Sequence, residues 1–211
     1  MHHDKSSSPG EAIRSFERKL NPGNMRKVVR YTTQCIKGLQ IAQAFLNLAT
    51  LYYPGKPISV SFLLHELREA EEFETLGFNF SSKRLDGMSY KERYEIYDER
   101  QKQFMLLREP HLNAMREQYT YLAAVAAKQG FPLSFGTILR FSPIHSEKEF
   151  QELRAWDGTL ELIDDEAVNA KEFALGLLRN EPGWGEILFR KGVFLYDTYS
   201  EEVRSILCQK S

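Results

Sequence analysis

Beginning at Met25, core-type residues recur at intervals of three and four: Met25, Val28, Thr32, Cys35, Leu39, Ala42, Phe45, Leu46 and Ala49. Such a repeat lies on one face of a helix, and here it is sustained for about seven turns. Asn24 is placed to cap this helix and Tyr53-Pro54-Gly55 to end it, because proline donates no backbone hydrogen bond and glycine accepts a left-handed exit. A single stripe of this length fits the core face of a bundle helix better than a coiled-coil seam.

The same period returns further along. Ser59 to Glu74 reads as a second helix, with Val60, Leu63, Leu64, Leu67, Ala70 and Phe73 inward and Arg68, Glu69, Glu71 and Glu72 outward. The short link between the two helices predicts an antiparallel pair. Residues 76–87 break the pattern and read as a loop with aromatic anchors. Ser89, with Glu92 at the capping-box position, starts a third helix that carries Tyr90, Tyr94, Tyr97 and Phe104 on one side and ends or kinks before Pro110. A fourth resumes at Pro110 with Leu112, Met115, Tyr119, Leu122, Val125 and Ala126 inward, and stops at Gln129-Gly130-Phe131-Pro132.

The expected fold is therefore mainly α, an antiparallel helical bundle in residues 24–130, with further helices in the C-terminal third. Residues 1–22 are expected to be a flexible tail with at most one helical turn, and residues 23–211 a single globular domain. Thr137–Phe141, Thr159–Ile163, Ile187–Phe189 and Val193–Tyr196 lean towards β, so a small sheet in an α+β subdomain over 133–211 competes with a continuing helical bundle. Helical segments are expected at Ser146–Trp156, Asp164–Asn180 and Ser200–Cys208.

Composition narrows the function classes. Lys plus Arg number 28 and Asp plus Glu 29, so no global field draws the chain to DNA or to an anionic membrane, and any such contact must be a local patch. The two cysteines, Cys35 and Cys208, form neither a disulfide framework nor a metal pair, which favours an intracellular, reducing compartment. The polar N-terminus does not read as a secretory signal, and no run approaches the roughly 20 apolar residues of a membrane span.

Motifs for nucleotide binding and for hydrolytic nucleophiles are missing from the sequence. No catalytic residue, cofactor or metal is assigned on sequence. His65-Glu66-x-x-Glu69 places a histidine and a carboxylate one turn apart, a spacing that suits metal ligation or proton exchange. An exposed acidic helix face with a polar histidine at its edge explains the same residues. His111 and His145 follow Pro110 and Pro143-Ile144, and either becomes a general base if the fold brings a carboxylate to it. His2 and His3 form a terminal pair without a fixed frame of converging ligands.

Three further features bear on partners. Arg26, Lys27 and Arg30 form a small basic patch at the start of the first long helix, where cations oppose the helix dipole and an anionic partner would be favourable. Tyr90, Tyr94 and Tyr97 suit a half-buried contact surface, and Tyr119 and Tyr121 suit either that or an ordinary core. Gly183-Trp184-Gly185 reads as a binding corner or as a turn whose indole plugs the end of the core. The leading expectation is a non-enzymatic helical interaction module, an accessory or adaptor subunit that meets a protein partner or a second copy through these aromatic and basic faces. The alternatives are a helical-bundle metal-dependent enzyme using His65 and Glu69, with or without His111, which requires those side chains to converge, and a peripheral membrane protein using the helix of residues 24–52. RNA contact is a weaker option.

Overall fold

A computed structural model describes residues 8–35, 56–77, 92, 95, 108–141, 151–155 and 162–184. Its elements are α1 (Pro9–Lys19), α2 (Pro22–Cys35), α3 (Pro57–Thr75), α4 (Arg108–Lys128), α5 (Phe135–Phe141), a 3-10 turn (Asp164–Glu166) and α6 (Ala167–Asn180). Residues 151–155 are also helical. The described residues are mainly helical and contain no strand, and their packing is that of a bundle.

The N-terminal segment differs from the expected tail. Residues 9–19 form a complete helix, started by a capping box in which the Ser8 hydroxyl accepts from the Glu11 N–H while the Glu11 carboxylate accepts from the Ser8 N–H. Ile13 and Leu20 are buried, and Phe16 meets Tyr121 of α4 edge to face at 5.9 Å. A short amphipathic segment is marginal alone, and α1 gains its stability by laying this apolar edge on α4.

Asn21-Pro22-Gly23 is the start of α2 as well as the end of α1. The Asn21 side chain accepts from the N–H groups of Gly23 (3.0 Å) and Asn24 (3.1 Å), so Asn21 rather than Asn24 is the cap. Pro22 takes the first helical position, where its missing N–H costs nothing. Asn24 turns back instead and donates to the Lys19 carbonyl at 2.7 Å.

Helix α3 is the centre of the bundle, flanked by α2 and in most extensive contact with α4. All six of its expected inward residues are buried, as are the inward positions expected of α4. Gly130, at φ 87°, ends α4: Phe131 N–H reaches the Ala126 carbonyl and Gly130 N–H the Ala127 carbonyl, the paired bonds of a Schellman exit.

Thr137–Phe141 is helical in α5 and not a strand. Ser134 caps it, its hydroxyl accepting from the Thr137 N–H. Ile138 and Leu139 are both buried. Neighbouring residues point to opposite faces of a strand, whereas on a helix they lie close enough to enter one core. Of the other β-leaning stretches, only Leu162 and Ile163 are described, Ile163 as an extended residue leading into the 3-10 turn. Residues 159–161, 187–189 and 193–196 lie outside the described residues, as do Ser200–Cys208 and the first long helix beyond Cys35.

The C-terminal part is tied to α3 by an unusual cap. Lys56 precedes α3 and makes no side-chain cap bond. The carboxylate of Glu181, just past α6, instead accepts from the N–H of Ile58 (2.6 Å) and of Ser59 (2.9 Å) and from the Ser59 hydroxyl (2.8 Å). Lys56 Nζ in turn donates to the Asn180 carbonyl at 2.9 Å. The first N–H groups of a helix have no partner within it, and here their acceptor comes from a distant part of the chain.

Candidate metal centre

One turn of α3 carries His65 and Glu69 on the side that faces α4, and the first turn of α4 presents His111 to them. The donor atoms of the three side chains lie within 4.8 Å of one another. His111 Nδ1 is 2.5 Å from Glu69 Oε1, and His65 Nε2 is 3.4 Å from the same oxygen. The two imidazoles stand edge to face with ring centroids 5.0 Å apart.

These groups are largely withdrawn from water. The side chains of His65, Glu69 and His111 retain 11%, 12% and 24% of their exposure, which excludes the exposed acidic face as their setting. The hydrophobic pattern of α3 predicts Glu69 outward. It turns inward because α2 and α4 cover both flanks of that helix, and it arrives with partners: Tyr31 of α2 donates its hydroxyl to Glu69 Oε2 at 2.6 Å.

Burial of the Glu69 carboxylate works to raise its pKa, but the charge of His65 and hydrogen bonds from both histidines outweigh it. The carboxyl is held well below its ordinary range. The far side of His65 is also occupied, since its Nδ1 lies 2.8 Å from Oε1 of the buried Gln118. Gln118 Nε2 is itself buried and has no hydrogen-bond partner among the described residues.

Two imidazoles and a carboxylate on a rigid helix pair form a donor set suited to zinc and neighbouring divalent transition ions. Around a tetrahedral ion with bonds of about 2.0–2.1 Å, two donors sit about 3.4 Å apart. His65 Nε2 and Glu69 Oε1 already have that separation, while His111 must open its hydrogen bond to Glu69 to join them.

The remaining sequence-derived candidates fall elsewhere. Trp184 is fully buried, stacked on Phe62 at 4.5 Å with its N–H donated to the Ser59 hydroxyl at 2.9 Å, so it plugs the end of the core and presents no binding corner. Tyr119 and Tyr121 are likewise core residues. Arg26 and Arg30 are exposed on α2, whereas Lys27 pairs with Glu74 of α3 at 2.8 Å. Tyr90, Tyr94, Tyr97, His145 and Cys208 lie outside the described residues. Nothing local in the sequence marks Tyr31, Gln118 or Glu181 as site or capping residues, because the partner of each lies on another helix.

The fold and site together define a helical bundle with a buried histidine–carboxylate cluster. No protein-family model, curated protein or solved structure matches the chain. Among the described residues, no helix is long and apolar enough to cross a membrane.

Proposed function

We propose that this is a metal-dependent helical-bundle protein that holds one divalent transition ion, zinc first among them, through His65, Glu69 and His111. The observation that carries the reading is the convergence of these three donors from two helices into a partly buried space. Three protein ligands leave at least one position for water or a substrate atom, the arrangement of catalytic rather than purely structural zinc sites. An ion there would supply Lewis acidity and an acidified water. Tyr31 would hold the second oxygen of Glu69, so that one carboxylate oxygen is directed at the ion.

The test is a zinc titration followed by native mass spectrometry, in a background where His2 and His3 are replaced by alanine to remove the terminal pair. One ion per chain is expected, with affinity reduced at least about tenfold in His65→Ala, Glu69→Ala and His111→Ala. Affinity unchanged from the parent protein in all three variants would overturn the proposal.

A second reading, the accessory or adaptor module, draws on the α2 surface, where Arg26 and Arg30 flank Val29, itself 39% exposed. Under that reading, Arg26→Glu with Arg30→Glu releases a co-purifying partner while zinc binding is unchanged.

A further inference from the structure

Every histidine ligand must present an unprotonated nitrogen, and which nitrogen that is depends on what the other one touches. His65 has two neighbours that compete to decide it: Gln118 Oε1 at 2.8 Å from Nδ1, and Glu69 Oε1 at 3.4 Å from Nε2.

We propose, resting on the metal-site reading, that Gln118 is the positioning residue that fixes His65 in its Nδ1–H tautomer, leaving the Nε2 lone pair directed at the ion. The two distances favour this arrangement. At 2.8 Å an Nδ1–H donates to the Gln118 carbonyl oxygen with good geometry, whereas the 3.4 Å contact of Nε2 with Glu69 is the longer and weaker of the two. Glu69 has no need of that proton, since Oε1 already takes the His111 Nδ1 proton and Oε2 that of Tyr31.

Turning the Gln118 amide over would make its nitrogen the donor to Nδ1 and drive the His65 proton onto Nε2, into the long contact. In either orientation one polar atom of Gln118 is left over, as Nε2 is here, so the leftover atom does not decide between them. The bare Nε2 beside an ionised carboxylate sets two lone-pair donors against each other, and a cation between them relieves this.

The tautomer is read in the metal-free protein from histidine 15N shifts followed over a pH series up to the alkaline plateau, where they no longer change. His65 is expected to show a protonated Nδ1 and a bare Nε2. In Gln118→Leu the proton moves to Nε2 and zinc affinity falls about 10–100-fold, the usual cost of losing an outer-shell partner. Gln118→Glu, which offers only acceptors, is expected to restore both the tautomer and the affinity.

A wild-type protein with the proton on Nε2, or a tautomer unchanged in Gln118→Leu, overturns the proposal. Should the leucine variant not fold, the wild-type and Gln118→Glu spectra decide it. If the expected tautomer is present and zinc does not bind, the metal reading fails while the role of Gln118 in setting the tautomer stands.

Discussion

His111 Nδ1 and Glu69 Oε1 lie 2.5 Å apart across 42 residues of sequence, and the contact joins the first turn of α4 to the middle of α3. Without any metal, this pair and the Tyr31 hydroxyl already constitute a partly buried polar network. Glu69→Ala strips acceptors from both partners and is expected to cost about 1–3 kcal/mol of stability. Urea unfolding of the metal-free protein measures it, and a loss below about 0.5 kcal/mol, the level of an ordinary surface substitution, would show that the network adds nothing.

Glu181 makes stability depend on pH. Burial pushes its carboxyl above the ordinary range, against the hydrogen bonds from Ile58 and Ser59 and the charge of Lys56, which pull it down. The fold therefore favours the proton. The stability this group contributes is fully present below its unfolded pKa of about 4.3 and is lost as pH rises through the higher folded value. Glu181→Gln removes that slope, so its stability relative to wild type should improve as pH is raised across the window above the ordinary carboxylate range. Urea midpoints at several pH values test this, and a constant difference between the two proteins would contradict it. Glu181→Ala, which leaves two N–H groups at the start of α3 uncapped, should cost about 1–3 kcal/mol at neutral pH.

Trp184 behaves as core in this fold, and its truncation should be correspondingly severe. Trp184→Ala is expected to cost about 3–5 kcal/mol, while Trp184→Phe keeps the stack on Phe62 and forfeits mainly the bond to Ser59, about 1 kcal/mol. A near-neutral alanine variant that lost a binding partner would instead return the residue to the surface role.

Helix α1 is predicted to be an integral part of the domain. Ile13→Ala should destabilise the whole protein by about 2–4 kcal/mol, and Ser8→Ala by about 1 kcal/mol through the lost cap. Unfolding midpoints indistinguishable from wild type in both variants would mean that the domain folds without it.

Helices that carry a dense apolar stripe can be read from the residues alone. The inward residues of α3 and α4 are legible because hydrophobic period depends only on spacing along one element. The sequence also holds the residues of the cluster, with His65 and Glu69 one turn apart and His111 at a helix start. Local pattern alone could not establish their setting, since a carboxylate on a helix is normally solvated and Glu69 has the same apparent position as Glu71 and Glu72.

Packing of the bundle turns Glu69 inward, brings Tyr31 and Gln118 to complete its surroundings, and makes Glu181 the cap of a helix more than a hundred residues before it. It likewise makes α1 a docked helix and α5 a helix instead of a strand. The physical reason is common to these cases: whether a polar group is buried, and whether a short segment keeps its helix, depends on partners supplied by other elements. Those partners enter the energy only when the bundle has packed.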